Sequence, residues 1–118
     1  MFALTAQQSY FLYHQPTDMR KGFNGLSGLV RNELGKNPLS GDVFIFINRR
    51  RNRMKLLVWE DSGFVLYYKI LEQGTFELPI NDQRTSGQIS WRDLVLILEG
   101  VVLSSVRKRK RFSLAKTG

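Results

Sequence analysis

Val43-Phe44-Ile45-Phe46-Ile47-Asn48-Arg49-Arg50-Arg51-Asn52-Arg53-Met54-Lys55-Leu56-Leu57-Val58-Trp59-Glu60 decides how this chain folds. Asp42 to Ile47 and Lys55 to Glu60 are runs of β-branched, aromatic and aliphatic residues, the composition that packs best on a pleated surface. In the first run both alternating sets of side chains are apolar, which predicts a strand covered on both faces. The connector between the two runs is short and polar, and short connections favour antiparallel neighbours. A β-hairpin tipped with arginine follows.

Outward from this hairpin, Asp61-Ser62-Gly63 is a turn signal and Phe64 to Leu71 a third strand. Gly74 to Pro79 predicts a short edge strand ended by proline, and the polar stretch Asn81 to Gln88 a loop. Before the hairpin, Ser9 to Tyr13 predicts a strand and Pro16 a break. Met19, Phe23, Leu26, Leu29, Val30 and Leu34 then recur at intervals of three and four, the stripe of an amphipathic helix. Thr17 or Asp18 would cap it and Gly35 end it. Gly22, Gly25 and Gly28 lie within this helix, each costing about 1 kcal/mol relative to alanine; a close helix–sheet contact is the expected reason. Ser90-Trp91-Arg92-Asp93 has the form of a capping box and opens a second helix, with Trp91, Leu94, Val95 and Leu98 on its apolar face. The resulting expectation is an α+β domain over residues 1–103, an antiparallel β-sheet of four or five strands with two packed α-helices, followed by a basic, flexible tail over 104–118.

The 118 residues suit one domain, and 42% apolar content supplies a core. No cysteine is present, so disulfides, thiolate catalysis and thiolate metal sites are excluded. The single histidine, His14, cannot form a His-pair metal motif and reads as an ordinary polar residue. The ten acids stand mostly at caps, turns and strand ends and show no paired-carboxylate spacing for two-metal phosphoryl chemistry. Neither a Walker motif nor a dinucleotide fingerprint is present. The expectation is a non-enzyme without metal or cofactor. No apolar run is long enough to cross a bilayer, and Met1 to Tyr10 carries no secretion signal, so a cytoplasmic location without membrane contact is expected.

Charge is the strongest pointer to function. The net charge is +8, and 18 residues are basic. Arg49, Arg50, Arg51, Arg53 and Lys55 form one group; Arg107, Lys108, Arg109, Lys110 and Arg111 form another. The eight basic residues elsewhere are outnumbered by the ten acids, so the positive charge resides in two local devices. Arginine forks bind phosphate bidentately, and a two-stranded ribbon fits a major groove. Adjacent cations without an acid between them repel, which a merely solvated hairpin tip does not explain. DNA is therefore the expected partner, with the tail adding non-specific phosphate affinity. Arg20 and Lys21, at the start of the first predicted helix, have two readings: an anion cradle with the helix N–H groups, or an ion pair with Asp18 or a distant acid such as Glu60. The strand aromatics Phe44, Phe46, Trp59, Phe64, Tyr67, Tyr68 and Phe76 read mainly as core, with base stacking as the alternative.

Asp18-Met19-Arg20-Lys21-Gly22, with Gly25-Leu26 and Leu29-Val30 behind it, resembles the opening motif of the TnpB-type accessory protein of bacterial insertion sequences of the family numbered sixty-six. The resemblance continues through Pro38, Ser40-Gly41, Phe44-x-Phe46, Asn48-Arg49-Arg50, Lys55, Trp59, Gly63, Tyr68-Lys69, Leu71-Glu72, Gly74, Phe76, Pro79 and Leu98-Glu99-Gly100. The chain departs from the family pattern at Ile70 and Leu78, where many members carry arginine and tryptophan. The resemblance implies a non-catalytic accessory factor of transposition, separate from the larger transposase. Joined to the charge pattern, it yields a protein that binds element DNA through Arg49 to Lys55 and Arg20-Lys21 and assists the transposase. The alternative is a protein–protein adaptor for the transposase without direct DNA contact. Oligomeric state is not legible.

Overall fold

In the computed structural model, which describes residues 4–78 and 86–100, β-strands β1 (Tyr10–Tyr13), β2 (Val43–Ile47), β3 (Arg53–Glu60), β4 (Gly63–Ile70) and β5 (Ser86–Ile89) form one sheet in the order β4-β3-β2-β1-β5. The helices are α1 (Phe23–Asn32) and α2 (Trp91–Val95), the latter continuing into a π-helical turn over Leu96–Gly100. The α+β class, the hairpin and the two helices match expectation. β2, β3 and β4 are an antiparallel meander, paired through Phe44↔Leu57 and Lys55↔Tyr68 among others. The sheet is mixed, not antiparallel throughout as expected, because β1 pairs with β2 in parallel, Phe11 opposite Phe44, with α1 as the crossover.

The central strand explains the layering. Every residue of β2 is buried. Phe44 and Phe46 face α1 and pack with Leu26, Val30, Tyr13 and Leu57. Val43, Ile45 and Ile47 face the other way, where Tyr10, Leu12, Met54, Leu56, Phe76, Leu94 and Ile97 complete a second cluster. A strand apolar on both parities thus sits between two cores. Trp91 opens α2 against Tyr10, with ring centroids 5.7 Å apart. The capping box is present: Asp93 N–H donates to Ser90 Oγ at 3.0 Å and Ser90 N–H to Asp93 Oδ2 at 3.4 Å.

Four local expectations are corrected. Residues 86–89 are not loop but edge strand β5, pairing antiparallel with β1; Gly87 and Gln88 are poor strand formers, and partnering overrides their propensity. Residues 74–78 form no strand. Phe76 instead donates its N–H to Arg51 O at 2.7 Å and buries its ring in the second core. The first helix begins at Phe23 rather than near Met19, with Gly22 as N-cap and no side-chain cap. The preceding residues are held in a turn, Lys21 N–H donating to Asp18 O and Thr17 N–H to Ile47 O. Finally, a methyl group at Gly22 or Gly28 would meet nothing within 4 Å, so close helix–sheet packing is not what these glycines serve. Gly25 alone is tight, against the Lys21 stem. The helix ends as expected, Lys36 N–H donating to Val30 O beyond a left-handed Gly35 at φ 62°. Residues 104–118, including Arg107, Lys108, Arg109, Lys110 and Arg111, lie outside the described residues.

Candidate nucleic-acid interface

The loop joining β2 to β3 is built by its two asparagines. Asn48 Oδ1 accepts from the backbone N–H groups of Asn52 and Arg53, each at 3.0 Å, while Asn48 Nδ2 donates to Asn52 Oδ1 at 2.8 Å. Asparagine suits this work because one short side chain offers both donor and acceptor. Arg51 closes the turn in the left-handed region, φ 58°. Outside the hairpin, Leu71 N–H donates to Asn52 O at 2.9 Å, so residues 71–76 brace the loop from one side. On the other side, Thr17 fastens the segment before α1 to the end of β2.

Between that segment and the loop runs a groove of about 670 Å³. Arg49, Arg50 and Arg53 line it from the loop and Arg20 from the opposite wall, with Asp18, Met19 and Tyr68 also exposed to it. Two basic groups far apart in the chain therefore face one space. Arg20 clamps Asp18 with Nε and Nη2, the shortest bond 2.7 Å, and donates its own backbone N–H to Asp18 Oδ1. These hydrogen bonds and the adjoining positive charge hold the Asp18 carboxyl down to about 2. Of the two readings for Arg20, the Asp18 pair is present, and the helix-terminal cradle is not, since the helix starts three residues later. Among the described residues, none of Arg49, Arg50, Arg51 and Arg53 is ion-paired, and all four are exposed. A second hollow of about 260 Å³ adjoins the loop, lined by Arg49 and Arg51 with His14, Gln15 and Leu78 among others.

The remaining predicted residues are placed differently. Lys55 is only 6% exposed: its Nζ donates to Met19 O at 2.7 Å and Lys21 O at 2.8 Å. It holds the groove wall and does not offer its charge to solvent. Lys21 is exposed but does not line the groove. Sequence reasoning missed Asn48 and Asn52 as site residues and named Tyr68 only among seven strand aromatics read mainly as core, with base stacking as the alternative. The signal for the first two was an asparagine at each end of the arginine triplet. Tyr68 could not be singled out among those aromatics, because its place near Arg53 depends on strand register. Its hydroxyl accepts from Arg53 Nη1 at 3.3 Å, and Lys55 Nζ stands 4.7 Å from its ring centroid. Among the described residues no cluster of three or more His, Cys, Asp or Glu is arranged to hold a metal ion, and no helix is long and apolar enough to cross a membrane.

Fold and groove define a small basic α+β domain with an arginine-lined cleft. Residues 8–108 match the family described as IS66 Orf2-like protein, and the chain belongs to that family. The family's description ties it to the IS66 insertion sequence. Two relatives come from Sinorhizobium fredii (strain NBRC 101917 / NGR234). The uncharacterized protein y4jC is 43% identical over 65 residues, 55% of this chain and 56% of the relative. The uncharacterized protein y4hO is 38% identical over 63 residues, 53% and 55% of the two chains. The chain thus spans about half the length of the curated relatives it matches. No solved structure matches it.

Proposed function

We propose that this protein binds the DNA of its insertion sequence through the arginine groove and assists assembly of the transposase complex, without catalysing strand transfer itself. The observation that carries the reading is convergence: Arg20 faces Arg49, Arg50 and Arg53 across one groove, with Asp18 the one carboxylate among the described lining residues, and the loop carrying the three arginines is held by the Asn48 hydrogen bonds. Preorganisation lowers the entropic cost of binding. Arg51 supports the reading independently. A left-handed position favours glycine or asparagine, and the chain places there a bulky cation that contributes nothing to the core. The basic tail at Arg107 to Arg111 adds phosphate affinity, and a bacterial DNA partner puts the protein in the cytoplasm.

The test is duplex binding across ionic strength. If about 6–10 phosphates are neutralised, affinity falls by about 10³–10⁵ between 50 and 200 mM salt. Replacing Arg49, Arg50, Arg51 and Arg53 together with alanine abolishes binding and leaves the folding midpoint nearly unchanged, because these side chains are exposed. A protein with no DNA affinity at physiological salt that still co-purifies with its transposase would be an adaptor, and the reading would fall.

A further inference from the structure

We propose that the groove receives an unpaired nucleotide, its phosphate on the arginines and its base stacked on Tyr68, so that the preferred ligand is single-stranded DNA, such as a frayed or nicked element end, rather than intact duplex. The inference rests on the DNA-binding reading above and adds to it the strand state recognised.

Three observations carry it. First, the hairpin does not project. β2 and β3 stay paired up to the loop through Ile47↔Met54 and Asn48 N–H to Arg53 O. The loop is then flanked on both sides, by residues 16–20 across the groove and by residues 71–76 bonded to Arg51 and Asn52. A ribbon that reads a major groove must stand clear of the protein body to enter a channel about 12 Å wide. This one is embedded, and Arg49, Arg50 and Arg53 line a concave surface instead.

Second, an aromatic ring borders that surface. Tyr68, on edge strand β4 where the other residues are half-buried and Ile70 is exposed, is 40% exposed, and it lines the groove with the arginines. An exposed ring beside a cationic groove is the pairing by which single strands are held: cations follow the backbone while bases stack on π-faces. Third, the ring is fixed. Arg53 donates to its hydroxyl and the Lys55 ammonium stands over its ring, itself anchored by two carbonyls. A base added to the free side would complete a layer of base, phenol and ammonium without reorganising the protein.

The experiment measures anisotropy of labelled oligonucleotides with the full chain at fixed salt. The probes are an oligothymidylate of about 12 nucleotides, an abasic deoxyribose-phosphate strand of equal length, and a duplex of the same length. The oligothymidylate binds about tenfold more tightly than the abasic strand, the size of one base–aromatic contact, and more tightly than the duplex. Tyr68→Ala removes the advantage over the abasic strand; Tyr68→Phe keeps it. Tyr68→Leu, which retains apolar cover over Lys55, behaves like Tyr68→Ala, separating loss of stacking from loss of packing. Equal wild-type affinity for the thymidylate and abasic strands overturns the stacking proposal while the DNA-binding reading stands. So does a Tyr68→Ala variant that weakens both strands alike. Failure of every oligonucleotide to bind overturns both.

Discussion

The ammonium of Lys55, on strand β3, donates to the backbone carbonyl of Met19 at 2.7 Å, 36 residues away in sequence. Its second bond goes to Lys21 O, so a buried cation ties the segment before α1 to β3 and holds one wall of the arginine groove in place.

Lys55→Met removes the donor and leaves two carbonyls beneath the turn without it. Hydrogen bonds to charged groups contribute about 1.5–3 kcal/mol, so a stability loss of about that size is expected in urea unfolding at unchanged m. DNA affinity falls as well, through the displaced Arg20 wall. A variant as stable as wild type would refute the bracing role.

Asn48→Ala separates geometry from charge. It deletes three hydrogen bonds of the loop and no charge. The expected cost is about 1–3 kcal/mol, with DNA affinity reduced at constant net charge. Anisotropy titration checks it; unaltered affinity would mean that the loop need not be preformed.

Asp18 titrates far below an ordinary carboxylate. Its carboxyl is lowered to about 2 from 3.8, first by the Arg20 side-chain hydrogen bonds. A depressed carboxyl contributes its stability above the unfolded value and loses it as pH falls through the folded one. The pair therefore stays intact near neutrality and opens only as pH drops from about 4 toward 2. Carboxyl carbon NMR should place the midpoint there; a midpoint near 4 would disprove the clamp. Asp18→Asn removes the groove's carboxylate and releases Arg20, so DNA affinity rises severalfold at low salt.

Gly28→Ala stabilises the protein. The added methyl meets no atom within 4 Å and the residue is inside α1, so the gain is the helix-propensity difference, about 1 kcal/mol. A loss on thermal or urea unfolding would show that an approach to this face had been overlooked.

Arg51→Gly sets stability against binding. Glycine relieves the left-handed backbone at φ 58° and raises stability by up to about 1 kcal/mol. The removed cation lowers the magnitude of the salt slope of DNA binding by about one. Higher affinity in the variant would exclude Arg51 from the interface.

Much of this architecture could be read before any coordinates. The apolar parities of Val43 to Ile47 placed a strand between two cores, and Ser90 with Asp93 marked the start of α2 to the residue. The arginine loop and Arg20 were legible as charge. Lys55 was misread because a lysine in a basic run looks like its neighbours. On β3, however, alternation turns Arg53 and Lys55 toward the same face, and only the segment folded over Lys55 buries it. β5 was illegible because Ser86 to Ile89 has no strand composition and owes its state to β1.

Local chemistry written in the chain was enough for the hairpin, the helix-forming stripe, the capping box and the concentration of arginine, since each depends on residues a few positions apart. The parallel pairing of β1 with β2, the burial of Lys55, the meeting of Arg20 with Arg49, Arg50 and Arg53, and the placement of Tyr68 at their edge were decided by tertiary structure. They join segments tens of residues apart, and no local propensity specifies which distant carbonyl a buried ammonium will find or which walls will enclose a groove.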